Sequence, residues 1–417
     1  MRQCFIYLIL IPAVVMAAAD DSQNDLTLDR AIVLVLENNP SLKAADYEAQ
    51  AAAARIRSAS LTPAFRTSLE FENFGGSGLL SGTDNLESTL SLSRVLELGD
   101  KAELRSDVAQ GKAMVLRNEQ DARRLDLLAE TTKRFIQVVT DQERLANAED
   151  TLAQAERTRS FIELRMNAGK LSNTELQRAR IITARKELDV EHARHTLATS
   201  RLKLATLWGE TQADFGPARA DLYNIAPPPT FASLVQLLDR NPDLVRIVTE
   251  GRLAQTRIQL ASSRKKADIE IAGGLRHFNL TQDTGLVMSM KIPFGNTSRA
   301  RPKVDEAEMA GMRQPYDLEQ RRLELHATLF EVYQELMHAI DEVSVYRQTI
   351  LPLAESSLKD YEKGYASGRY TLLELNAAQI TLLDAKLKSI LAASDYHRYR
   401  IEIDRLTGAG LDTGAIQ

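Results

Sequence analysis

The sequence predicts a mainly helical protein with a small β part, built from two tandem copies of one unit. Three observations carry that prediction: motifs that recur about 200 residues apart, short segments that alternate with period two, and a very long stretch free of proline. Period two is the repeat of a strand with unlike faces, and sustained amphipathic sequence without proline marks extended helix.

The duplication is read from paired motifs in the same order, with small length changes between them. Asn39-Pro40-Ser41-Leu42 recurs as Asn241-Pro242-Asp243-Leu244, and Leu98-Gly99 as Phe294-Gly295. Further on, Ala168-Gly169 recurs as Ser367-Gly368, and Glu175-Leu176 as Glu374-Leu375. Residues 216–230 join the copies and carry Gly216-Pro217 and Pro227-Pro228-Pro229, a composition that stops regular structure. The copies are therefore residues 20–215 and 231–406, with a tail at 407–417.

Within each copy the order of elements follows from the pattern. Asn39-Pro40 opens an alanine-rich helix, with proline at a tolerated first-turn position. Two strands are expected next, at about 64–74 and 87–98 in the first copy and 267–278 and 285–294 in the second. On one face stand Phe65, Leu69 and Phe71, and in the second copy Leu286, Met288, Met290 and Ile292. Arg66, Ser68, Glu70 and Glu72 take the opposite face in the first copy. One-sided alternation over about ten residues is the signature of a strand that crosses an outer membrane. A long helix then follows, because no proline lies between Pro63 and Pro217 and only Gly111 and Gly169 interrupt residues 100–208. It folds back at Gly169, and its counterpart folds back at Gly368, giving helical tips at about 167–172 and 366–371. An outgoing helix over residues 100–166 would be roughly 100 Å long. The shorter helices at about 40–61 and 173–207 together match it, so they are expected to stack end to end beside it.

Composition narrows the function. With 52 Lys+Arg against 57 Asp+Glu the net charge is −5, which argues against a nucleic-acid partner. After the N-terminus no apolar run approaches the length of a membrane helix. Residues 1–19 read as a signal peptide: Arg2, an apolar stretch, then Ala17-Ala18-Ala19. Cleavage there removes Cys4, the single cysteine, so disulfides, a thiol nucleophile and a cysteine lipid anchor are not expected.

Four strands cannot close a membrane barrel, whose smallest single-chain form has about eight. Open edges are forbidden in lipid, so the chain is expected to share its barrel with copies of itself. Three copies give twelve strands and leave a passage. The predicted assembly is a homotrimeric tube.

These residues resemble the TolC family of trimeric outer-membrane efflux ducts over nearly the whole mature chain. The matching pieces are Leu26-Thr27-Leu28-Asp29-Arg30-Ala31, Glu37-Asn38-Asn39-Pro40-Ser41-Leu42, the second Asn-Pro segment, and the paired tips. The tips read Arg165-Met166-Asn167-Ala168-Gly169-Lys170-Leu171 and Gly364-Tyr365-Ala366-Ser367-Gly368-Arg369-Tyr370. The run from Ser91 to Lys101 looks most like the heavy-metal branch, of the CzcC type, with Asp100 where that branch commonly has a second glycine. The resemblance implies a β-barrel in the outer membrane continuous with a periplasmic α-barrel. It also implies docking of the tips to a periplasmic membrane-fusion adaptor and an inner-membrane RND pump.

A duct does no bond chemistry, so neither a catalytic set nor a cofactor is expected. From the resemblance, Glu374 stands where such ducts carry a gate-lining aspartate, and Glu175 is its repeat equivalent; the second gate aspartate corresponds to Ala377. A ring of carboxylates at a constriction attracts cations, although a glutamate at a helix start is also accounted for by the helix dipole. Ala168, Gly169, Lys170 and Leu171, with Ser367, Gly368, Arg369 and Tyr370, are the expected adaptor contacts. His192 and His195 could share an ion, but without a third ligand they are better explained as a solvated helix face. The expected function is the exit duct of a tripartite pump for divalent heavy-metal cations. Drug efflux or protein secretion by the same fold, and a periplasmic coiled-coil structural protein, are the alternatives.

Overall fold

The computed structural model describes residues 25–409, so the expected signal peptide and residues 410–417 of the tail lie outside it. In the first copy α1 (Leu28–Asn38) and α2 (Pro40–Ala59) precede β1 (Arg66–Glu72) and β2 (Glu87–Leu96). The outgoing helix α3 (Lys101–Asn167) runs 67 residues without a break, and α4 (Asn173–Ala205) returns. In the second copy α5 (Phe231–Leu237) and α6 (Pro242–Ser263) precede β3 (Ile269–Phe278) and β4 (Asp283–Lys291). The outgoing run there is α7 (Asn296–Val345) continued by α8 (Leu351–Ala366), and α9 (Leu372–Thr407) returns.

The end-to-end stacking has a local cause, and the two copies share it. Asn39 caps α2 by accepting from the Ser41 N–H at 2.9 Å, while its amide donates to the Leu207 carbonyl at 2.7 Å. Asn241 caps α6 through the Asp243 N–H at 2.9 Å and donates to the Leu406 carbonyl at 2.8 Å. One buried amide thus satisfies the N-terminus of a short helix and a carbonyl at the end of the returning helix, where backbone groups otherwise lack partners. The proline after each asparagine sits where its missing N–H costs nothing.

The helices form one layer: α2 with α4, then α3, then α6 with α9, then α7 with α8. Three apolar clusters hold it. One gathers Phe135 and Ile136 of α3, Leu204 near the end of α4, Trp208, the joining segment and α9. A second surrounds Leu329 of α7 and Tyr396 of α9. The third lies at the tips, around Ile162, Tyr365 and Leu375.

The helix after β4 departs from the uninterrupted pattern of α3. Pro302 and Pro315 lie within α7, and a π-helical turn at Tyr346–Ile350 precedes Pro352. The wider turn accommodates a ring that would otherwise clash with the carbonyl four residues back.

Strand ends also differ from expectation. β1 covers 66–72 rather than 64–74, because Asn73 takes a left-handed backbone (φ 60°) that ends the pleat. Phe65 therefore stands one residue before the strand. β2 stops at Leu96, before Glu97 and the left-handed Gly99, and β3 begins at Ile269 rather than 267. β4 covers 283–291 rather than 285–294, and Pro293, which cannot donate to a ladder, follows its end. Ile292 lies just past it.

Replacing Asn241 by alanine removes both a cap and the donor to a buried carbonyl. The expected loss is about 2–4 kcal/mol, read as a lower thermal unfolding midpoint by circular dichroism. Asn38→Ala, which removes only a local bond to the Leu34 carbonyl, is expected to leave that midpoint in place.

Candidate functional site

The four strands form one antiparallel sheet in the order β1-β2-β3-β4, so β1 and β4 each leave one edge unpaired. Directly paired residues share a face. One such row is Leu69, Leu90, Leu275 and Leu286, and the next is Thr67, Leu92, Gly273 and Met288. Phe71 heads a row with Ser88, His277 and Thr284, while Met290 pairs with Ile271 on the same face. Among the described residues no layer covers this face: Leu286 is 86% exposed and Met288 83%. From the Leu96–Ile269 pair to the Phe71 row the face spans roughly 27 Å of strand, near the apolar band of about 25 Å on a membrane barrel. Leu69, Phe71, Leu286, Met288 and Met290 are thus brought together on the sheet, and Phe65 and Ile292 flank its lower margin. The guanidinium of Arg94 stacks over the Phe65 ring at 4.9 Å and donates to the Thr62 hydroxyl. A long side chain that is apolar along its stem and charged at its head suits such a margin.

The opposite face is polar. Ser68 and Ser91 share a hydrogen bond of 2.7 Å across β1 and β2. Arg276 of β3 donates to Thr89 at 2.9 Å and to Glu87 and Glu72 at 2.8 Å each, which ties three strands together. This brace is absent from the expectations above. Alternation continued from Glu270 through Ala272 and Gly274 to Arg276 is the signal that points to it. Gly274 is required by close approach, since a Cβ there would collide with the Leu90 carbonyl oxygen.

At the far end of the helices the two tips are built alike. After α3 the Gly169 N–H donates to the Met166 carbonyl and the Lys170 N–H to the Arg165 carbonyl, both at 2.9 Å. After α8 the Gly368 N–H donates to Tyr365 at 3.1 Å and the Arg369 N–H to Gly364 at 2.8 Å. Both glycines are left-handed, at φ 72° and 78°, which completes a Schellman cap in each hairpin. The next helix starts at once. Glu175 and Glu374 each close a capping box, with Ser172 and Thr371 as partners. Hydrogen bonds from the Thr371 backbone and hydroxyl hold the Glu374 carboxyl below the usual carboxylate range, so it stays ionised.

The structure thus gives both glutamates a helix-start role. Ala168, Gly169, Lys170, Ser367, Gly368 and Arg369 are exposed at the turns, and Leu171 and Tyr370 are half-buried. The hairpins are joined by Arg165, which donates to the Ala366 carbonyl at 2.7 Å and lies over the Phe161 ring at 5.0 Å. Tyr365 is buried between them. Burial, and secondarily the Glu175 carboxylate, push its phenol up.

His192 and His195 line a groove of about 470 Å³ between α3 and α4 with Arg134, Asp141 and Lys203. Among the described residues no group of three or more His, Cys, Asp and Glu is placed to hold a metal ion. No helix among them is long and apolar enough to cross a membrane.

The sequence matches the outer membrane efflux protein family over residues 31–210 and 233–409, one stretch per copy. The chain belongs to that family. It is 24% identical over 388 residues to the cobalt-zinc-cadmium resistance protein CzcC of Cupriavidus metallidurans, covering 93% of this chain and 91% of that one. Among solved structures it is similar to CusC, with a TM-score of 0.78 at 18% identity and 93% of each chain covered. It is also similar to the outer membrane protein VceC of Vibrio cholerae, with a TM-score of 0.75 at 16% identity, covering 92% and 97%. Family membership makes this an outer-membrane efflux channel and not an enzyme, and it sets aside the reading as a periplasmic structural protein.

Gly274→Val is expected to abolish folded protein in the outer-membrane fraction, because the side chain would collide with the β2 backbone. Gly273→Ala, where nothing lies within 4 Å of the added Cβ, is expected to leave that fraction at its normal level.

Proposed function

We propose that three copies of this chain close one twelve-stranded barrel and serve as the exit duct for divalent heavy-metal cations. In this reading an inner-membrane RND pump and a periplasmic adaptor deliver the ions, and the duct conducts them passively to the exterior. The observation that carries it is a four-stranded sheet with one bare apolar face and two open edges. Such a sheet reaches a stable state only where lipid covers the face and neighbouring copies satisfy the edges. The relation to a cobalt-zinc-cadmium resistance protein over most of both chains supports the metal substrate.

In this reading Leu69, Phe71, Leu286, Met288 and Met290 meet lipid, with Phe65 and Ile292 at the boundary, and the Arg276 face lines the passage. The tips dock to the adaptor. No heavy atom lies within 4 Å of a Cβ added to Gly169 or Gly368, so both point into open space. Deletion of the gene is expected to sensitise cells to cobalt, zinc or cadmium, with the intact gene restoring growth. Glutamine at both Gly169 and Gly368 is expected to fail to restore it while trimers still reach the outer membrane. Loss of the trimers instead would make the glycines purely structural. Sensitivity to organic drugs alone would favour the drug-efflux reading.

Glu374 and Glu175 are proposed to line the periplasmic constriction, one of each per protomer. The capping box does not use up the negative charge of Glu374, whose residue is exposed at the turn. Glu374→Ala is expected to raise single-channel conductance in planar bilayers and to weaken cation preference. Unchanged values of both would count against the gate role.

A further inference from the structure

Where the sheet meets the helices, a cleft of about 480 Å³ opens between α3, α6 and α7. Five basic side chains and only two carboxylates line it. Both carboxylates are already engaged. Arg105 binds Glu97 with two nitrogens, at 2.5 and 2.8 Å, and Lys101 binds Asp268 at 2.6 Å. Among the described residues that leaves Arg264, which follows the last turn of α6, and Arg299 of α7 without an acidic partner, and Lys303 held only by an exposed pair with Glu306. The start of α7 adds to them. α7 begins at Asn296 after Gly295, which has no side chain to cap the first turn, and no acidic residue lies in that turn, so the positive end of its dipole meets the cleft.

The side of the sheet follows from alternation. Leu96 pairs with Ile269 on the apolar face as the last pair of the β2–β3 ladder, and Glu97 and Asp268, the next residue on each side, stand where alternation turns to the polar face. The cleft therefore opens on the side read above as the passage, away from lipid. Planar guanidinium groups, one just past the end of α6 and one in the first turn of α7, match the oxygens of a tetrahedral dianion beside a helix N-terminus.

We propose that this cleft binds a free phosphate-class dianion in the wall of the duct, just below the barrel. The site rests on the reading of the polar face as lumen and is independent of which cation is exported. A bare cationic wall repels divalent cations, whereas a bound dianion offsets that field and leaves the passage open to them. On that side of the sheet the source is free phosphate and not a lipid headgroup.

The test uses the purified full-length trimer in detergent and inorganic phosphate as the probe. Calorimetry is expected to show saturable phosphate binding. The Arg264→Gln/Arg299→Gln double variant is expected to bind at least about tenfold more weakly. Arg252→Gln, on another exposed face of α6, is expected to bind as the parent does. Soluble glycerol phosphate should compete, while phosphatidylglycerol in the micelle should leave the affinity unchanged. Absence of phosphate binding, or equal binding by the double variant, would overturn the site. Competition by the lipid would overturn its lumenal placement. Pore formation in planar bilayers is scored on the same samples: trimers that form pores yet ignore phosphate refute this inference alone, and chains that form none refute the duct.

Discussion

Backbone hydrogen bonding in lipid is the constraint on which the architecture depends. An unpaired N–H or C=O in hydrocarbon costs several kcal/mol, and this chain ends its sheet with two rows of them, on β1 and β4. Neither edge is blunted by a bulge or a covering helix among the described residues. The apolar rows centred on Leu69, Leu90, Leu275 and Leu286 leave no aqueous alternative for that face. In the proposed assembly, closure through identical neighbours removes the edges and creates a lumen in one step, and the polar face with its Arg276 brace forms the wall of the passage.

The helical part meets a different demand, that of keeping a long rod straight and in register. Each copy solves it with the same three devices: an asparagine clamp between stacked short helices, a left-handed glycine at the tip, and a capping box to restart the chain. Duplication of a gene segment duplicates all three. The copies diverge where packing allows, as in the outgoing helix, where proline is absent from α3 and accommodated by a π-turn before α8.

Much of this was legible in the residues because it rests on local chemistry. Alternation marked the strands, Gly169 and Gly368 marked the turns, and lengths matched α2 and α4 to α3. What was not legible depends on contacts between distant segments. The strand limits follow from the backbone of Asn73 and the position of Pro293. The partner of Arg276 could not be named before the β2–β3 register was known. Glu175 and Glu374 were picked out by resemblance; a helix-start role was already open to them from the sequence, and the capping-box partners Ser172 and Thr371 give it a geometry. Arg264 and Arg299 gave no sequence signal, since only the fold sets them beside two carboxylates already neutralised by Lys101 and Arg105.

The most direct measurement is the stoichiometry of the full-length protein extracted from the outer membrane, by native mass spectrometry released from detergent micelles. Three chains per particle, separating only with loss of β structure, is the result that follows from the unsealed sheet. A monomer that stays folded and soluble without detergent would contradict it, because a bare apolar face and two open edges would then need neither lipid nor neighbours.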